Sequence, residues 1–241
     1  MESIVLRTPT LTDQHVRRLL ALCPNLRKLD LGNNEENLTS GVLDALHETP
    51  PSQLRGLILP TLKISHFRVV RALSVLPRLV TLELSLNPPV TSAIIKSTAM
   101  RSLRLSGPLQ VDLQEMIANG GLPQLQDLHL LHCPAAVVAR AARLCPLRSV
   151  GIPVQPPCTA EELCDIVKAT GERLQHLCLP TRVEPLESPD LGELLAQHCP
   201  NLLYLCAQSE SILSSAGLEK LMQSCQKLDK LALSYVQGDC R

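Results

Sequence analysis

An aliphatic residue, two variable residues, a second aliphatic, one variable residue and a third aliphatic recur nine times along the chain. The copies begin at Leu26, Leu54, Leu79, Met100, Leu125, Leu147, Leu174, Leu202 and Leu228, with 21 to 28 residues between successive starts. In Leu26-Arg27-Lys28-Leu29-Asp30-Leu31, Leu29 and Leu31 alternate with Lys28 and Asp30. A period of two predicts a short strand with one buried and one open face. Asn33 and Asn34 then turn the chain, and Val42, Leu43 and Leu46 follow at helical spacing. Pro50 and Pro51 stop that helix before Leu54 opens the next strand.

The other copies repeat the cycle. Val69, Val70, Leu73 and Leu76 predict a helix face before Leu79. Val137, Val138, Ala141, Ala142 and Leu144 do so before Leu147. Glu161 to Thr170 is predicted as a helix with Leu163, Ile166 and Val167 inward, Thr159 as N-cap and Glu162 at capping-box spacing. Leu191, Leu194 and Leu195 precede Leu202, and Leu218, Leu221 and Met222 precede Leu228. The unit from Leu79 to Met100 is short, and Pro88-Pro89 leaves room for about two helical turns. Ile4 and Leu6 predict a strand before the first full copy, followed by a helix from Asp13 to Leu22.

Every crossover runs strand, helix, strand in one direction, so the strands are expected to be parallel. A period of about 25 residues resembles that of the leucine-rich repeats. The expected fold is therefore an α/β leucine-rich-repeat solenoid, a right-handed horseshoe with one parallel curved sheet of about nine or ten strands inside and helices outside. No linker or composition shift interrupts the series, so residues 1–241 are expected to form one domain of about nine repeats. Neither end carries an evident polar cap, and solenoid ends expose apolar surface unless something covers them.

Composition sharpens this expectation. Hydrophobic residues make up 45% of the chain, yet it holds one Phe, two Tyr and no Trp, so its layers must be filled by aliphatic side chains. The formal charge is zero, from 23 basic and 23 acidic residues, and gives no steering towards nucleic acid or anionic lipid. No apolar run approaches the roughly 20 residues of a membrane helix, and the start, Met1-Glu2-Ser3-Ile4, lacks the features of a signal peptide. Four of the ten cysteines, Cys23, Cys145, Cys199 and Cys225, recur just before a strand. Repetition in phase is expected of a packing position rather than of a disulfide, and buried thiols suit a reducing cytoplasm or nucleus.

Cys23-Pro24-Asn25-Leu26 and Cys199-Pro200-Asn201-Leu202, with Cys145-Pro146-Leu147 and Cys225-Gln226-Lys227-Leu228 as variants, resemble the cysteine-containing repeats of the F-box/leucine-rich-repeat proteins. The resemblance implies a non-catalytic protein-interaction scaffold, the substrate-recognition module of an SCF-type ubiquitin ligase, with cullin ubiquitin-ligase subunits among its partners. The sequence departs from that family in two ways. It shows no Leu-Pro opening followed by a helical triplet with a Trp, which would mark an F-box. The Cys or Asn expected after the strand occurs only at Asn33 or Asn34, Asn87 and Cys133. A stand-alone leucine-rich-repeat adaptor unrelated to ubiquitination is the alternative.

None of the seven histidines lies in a metal, phosphate-loop or nucleophile motif, so no catalytic residue, metal or cofactor is expected. Cys178 and Cys206 take equivalent strand positions, as do His176 and Tyr204, and these side chains are expected to line the sheet rather than ligate a metal. The protein partner is expected on the concave face, at Tyr204, His176, His129, Arg104, Asp127 and Glu83, because tyrosine and arginine anchors dominate interface energies. Tyr235, just past the last strand, is expected instead to cover the open end.

Overall fold

The computed structural model describes residues 2–8, 10–34, 37–62, 65–86, 89–95, 97–179, 190–207 and 213–233. Asn87, Pro88 and Tyr235 lie outside them. The strands are β1 (Ser3–Val5), β2 (Lys28–Asp30), β3 (Gly56–Leu62), β4 (Thr81–Leu86), β5 (Ser102–Pro108), β6 (Asp127–His132), β7 (Ser149–Gly151), β8 (His176–Leu179), β9 (Tyr204–Ala207) and β10 (Lys230–Leu233). The helices are α1 (Asp13–Leu22), α2 (Gly41–Glu48), α3 (His66–Leu73), α4 (Val111–Ala118), α5 (Ala135–Leu144), α6 (Ala160–Thr170), α7 (Leu191–His198) and α8 (Ser215–Ser224). The chain is α/β, with parallel strands ordered as they occur in the sequence. It packs as two compact units, one of residues 1–116 and 121–125, the other of residues 117–120 and 126–241.

In the first unit the register pairs Ile4 with Leu29, Leu29 with Leu57, Leu57 with Leu82, and Leu82 with Leu103. The last four of these are 0% exposed. In the second, Leu128, Val150, Leu177 and Leu205 form the same kind of row, again with no exposure, and Leu231 continues it half-buried. Each leucine is covered by its counterparts one strand spacing away, about 4.8 Å. The layers are filled by aliphatic side chains, in keeping with a chain of one Phe, two Tyr and no Trp.

The helix faces follow the sequence pattern closely. Val42, Leu43 and Leu46 are buried in α2, and Leu163, Ile166 and Val167 in α6. Thr159 caps α6 by accepting the Glu162 N–H at 3.2 Å, while its own N–H donates to the Glu162 carboxylate at 3.0 Å. Three expectations fail. Leu144 and Met222, read as inward, are each 58% exposed. Among the described residues of the short unit between Leu79 and Met100 the helical structure is a single 3-10 turn, Ser92–Ile94, with Ile94 buried in the core. Asp30, read as an open strand position, is 4% exposed, folded against the Gly32 N–H at 3.1 Å and beside Arg7 at 3.6 Å.

Asn33 and Asn34 do turn the chain. Asn33 adopts φ 62°, a left-handed conformation that asparagine tolerates. Asn34 is buried and fully used. Its Nδ2 donates to the carbonyls of Leu6, Leu31 and Gly32 at 2.7, 2.8 and 3.1 Å, and its Oδ1 accepts the Thr8 N–H at 3.2 Å. Among the pre-strand cysteines, Cys145, Cys199 and Cys225 are buried and Cys23 is half-buried. Burial, helped by neighbouring Cys225, pushes the Cys199 thiol up to about 12, and burial does the same to Cys133. Such thiols stay protonated and act as small apolar fillers.

A polar tie at the helix starts joins successive repeats, and the sequence pattern did not suggest it. In the first unit Asp13, opening α1, accepts the Thr39 N–H at 2.9 Å and the Thr39 hydroxyl. Asp112 in α4 accepts the Ser92 N–H at 2.9 Å and hydroxyl at 2.6 Å. In the second unit Asp190, the N-cap of α7, accepts the Ser214 N–H at 3.1 Å and the Ser214 hydroxyl. There α7 and α8 approach so closely that a Cβ on Gly192 would lie 2.3 Å from the Gly217 carbonyl carbon.

Leu205→Ala should destabilise the protein by about 2–5 kcal/mol, since the leucine is wholly buried and its layer is too thin to collapse freely. The drop in urea midpoint measures it. Burial tends to raise the Asp190 pKa, but the hydrogen bonds from Ser214, Glu193 and Gly192 outweigh it and hold the carboxyl below its ordinary value. A carboxylate depressed in the folded state adds stability above its unfolded pKa, and that stability is lost as pH falls through the folded value. Asp190→Asn should therefore lower the urea midpoint at pH 7 and narrow the difference between pH 7 and pH 3. An unchanged difference would show that the tie carries no charge-dependent stability.

Candidate protein-binding face

Side chains that alternate with the buried leucines form two rows on the second unit. One row runs Asp127, Ser149, His176, Tyr204, Lys230; the other runs His129, Gly151, Cys178, Cys206, Ala232. His176 and Tyr204 are register partners, as are Cys178 and Cys206, as the equivalent strand positions suggested. The rings of His176 and Tyr204 stand 6.3 Å apart at 52°, a tilted pair within the range where aromatic edges and faces attract. Both are half-buried, so Tyr204 is less open than its strand position suggested. Hydrogen bonding to the Cys206 thiol, with the nearby charge that this thiol and Cys178 would carry, raises the Tyr204 pKa above its ordinary value. The phenol is thus neutral at physiological pH and available as a hydrogen-bonding anchor.

His129 is held in place rather than free. Its Nε2 lies 3.0 Å from Ser149 Oγ and 3.1 Å from Asp127 Oδ1. A histidine that relays a proton between an acid and a hydroxyl must use its two ring nitrogens separately. Here one nitrogen faces both groups, and the Ser149 contact holds the ring in place. The ring can lean towards Ser149 only because residue 151 is glycine, where a Cβ would sit 2.4 Å from His129 Nδ1. Ser149 and Gly151 are buried as a result, and β7 offers a partner no side chain of its own.

Glu83 and Arg104 belong to the first unit and are register partners on β4 and β5, next to Ile58 on β3. Glu83 is half-buried and Arg104 exposed. Opposite charges one strand spacing apart offset one another, so this pair presents a dipole rather than a lone cation. Thus Asp127, His176 and Tyr204 share one row, His129 lies in the other, and Glu83 and Arg104 lie on the other unit. Among the described residues no three His, Cys, Asp or Glu side chains converge to hold a metal, and no helix is long and apolar enough to cross a membrane. No protein-family model matches the chain, and no curated protein matches it.

Gly151→Ala should force the His129 ring off Ser149 while keeping the fold, at a cost of about 1–3 kcal/mol, as overpacking does. The ring resonances of His129, assigned by NMR with His129→Gln as reference, should shift. Unmoved resonances would contradict the account of how this side chain is held.

Proposed function

We propose that the chain is a leucine-rich-repeat solenoid, a right-handed horseshoe that acts as a non-catalytic protein-binding scaffold, with its partner on the concave strand face. The observation that carries this reading is the in-register row of Asp127, His176 and Tyr204 on rigid parallel strands. Side chains pre-positioned in this way lose little freedom when a partner docks, and consecutive repeats supply an extended surface.

Substrate recognition within an SCF-type ubiquitin ligase is the specific form of this role, supported by the Cys-Pro-Asn-Leu junctions. A stand-alone adaptor unrelated to ubiquitination is the second reading. Affinity capture of the tagged chain from cells separates them. Cullin subunits recovered at stoichiometric levels support the ligase role, and partners without cullin support the adaptor. Within either role Tyr204→Ala should weaken the captured partner by about 1–3 kcal/mol, as truncation of an aromatic anchor does. If Tyr204→Ala binds every partner normally while substitutions on the helical face abolish binding, the assignment of the strand face fails.

A further inference from the structure

Arg27, Arg55, Val80 and Arg101 occupy one position in successive repeats of the first unit, the residue before β2, β3, β4 and β5. The backbone fixes the row. Arg27 O accepts the N–H groups of Arg55 and Gly56 at 2.8 and 2.9 Å, and Arg55 O those of Val80 and Thr81 at 2.7 and 2.9 Å. Val80 O accepts those of Arg101 and Ser102 at 2.8 and 3.0 Å. Arg27 and Arg55 therefore stand one strand spacing apart, and Arg101 two spacings further, about 10 Å on. Lys28 at the start of β2 and Arg78 in the turn before β4 join them. These five cations line one open cleft of ≈ 740 Å³, and among the described residues no acidic or aromatic side chain lines it.

Two of the five have weak counter-groups. Arg27 lies 3.4 Å from the exposed carboxylate of Glu2, and Arg78 donates to Gln53 Oε1 at 3.2 Å. Among the described residues, Lys28, Arg55 and Arg101 meet no side-chain acceptor. The ordinary structural use of a cation at this end of a repeat is to satisfy the carbonyls that close the preceding helix. Arg173 in the second unit is used in that way, donating to the carbonyls of Ala169, Thr170 and Ala142 at 2.6, 3.3 and 3.3 Å. Arg55 and Arg101 donate to no such carbonyl among the described residues. Like charges held in register in a row repel one another, and helix closure does not require them.

We propose that this cleft binds a phosphorylated segment of a protein partner, its phosphoryl groups bridging the guanidinium groups of Arg55 and Arg101 with Arg27, Lys28 and Arg78 around them. A phosphoryl group carries close to two charges and three acceptor oxygens near neutral pH, so it takes more than one guanidinium fork at once. A carboxylate fills a single fork. Nucleic acid fits less well, because among the described residues no aromatic side chain lines the cleft to stack a base, and the chain as a whole is neutral. The site is separate from the strand-face row at Tyr204 and does not depend on it.

The probe is a fluorescent peptide, Gly-Gly-pSer-Gly-Gly-pSer-Gly-Gly, whose phosphates span about 10 Å when extended. Its binding to the full chain is read by anisotropy at 50 and 200 mM salt. The phosphopeptide is expected to bind at least about tenfold more tightly than the unphosphorylated and Glu-substituted peptides, and to weaken with salt. Arg55→Glu and Arg101→Glu should each cost about tenfold, as loss of one charge-assisted contact does. Arg55→Gln and Arg101→Gln should act in the same direction, which keeps the test valid if either reversal disturbs the fold. Arg148→Glu, at the same repeat position in the second unit, should leave binding unchanged. Equal binding by the Arg55→Glu/Arg101→Glu double variant, or equal binding of phosphorylated and unphosphorylated peptide, would overturn the proposal. So would a single-stranded oligonucleotide that binds more tightly than the phosphopeptide and is lost in the same variants. Failure here leaves the strand-face scaffold standing, since that reading is tested at Tyr204.

Discussion

One constraint governs the molecule: a single repeat cannot bury its own aliphatic face. Leu29 reaches zero exposure because Ile4 and Leu57 flank it one strand spacing away, and Leu177 does so between Val150 and Leu205. Strand pairing and core packing are therefore the same event. A slip of one residue would turn every leucine of a strand towards solvent, so the register is fixed wherever the layer is closed. That rigidity carries through to the open face, where side chains inherit their positions from the leucines between them. Leu231, flanked on one side only by a described strand, stays half-buried.

Polar groups close what the leucines leave open. Turns between strand and helix expose backbone groups that must find partners. Asn34 meets this need in one place with four hydrogen bonds, which explains an asparagine at a position otherwise suited to an apolar residue. The acid-to-hydroxyl ties at Asp13, Asp112 and Asp190 do similar work at the helix starts. A carboxylate there both accepts a backbone N–H of the neighbouring repeat and suits the positive end of its own helix. Small residues belong to the same device, since the Asp190–Ser214 tie requires the backbones at Gly192 and Gly217 to meet.

The open strand positions are not equally available. Asp30 is folded against its own turn, Ser149 and Gly151 are covered, and His129 is braced by Ser149 beside Asp127. What remains prominent on the second unit is the His176–Tyr204 pair, supported by two thiols in the next row. On the first unit the distinctive surface lies one residue earlier in the repeat, where arginines rather than aromatics accumulate. The two surfaces differ in chemistry because one draws on strand residues and the other on the residues that lead into the strands.

The sequence by itself determined the strand positions, the buried face of each strand, most of the helix stripes and the Thr159 cap. All of these rest on spacing within about 11 residues, where periodicity reports which side chains share a face. It also placed His176 opposite Tyr204, because equivalent repeat positions become neighbours when strands pair in register. Only the tertiary structure decided what those neighbours do. Leu144 and Met222 fit their stripes by spacing yet are exposed, which only the packed structure decides. The His129 brace needed Ser149 and Gly151, 20 and 22 residues on, to be brought alongside. The basic cleft was hidden for the same reason. Arg27, Arg55 and Arg101 are isolated residues in a chain of zero net charge, and they become one surface only when parallel pairing sets their repeats side by side.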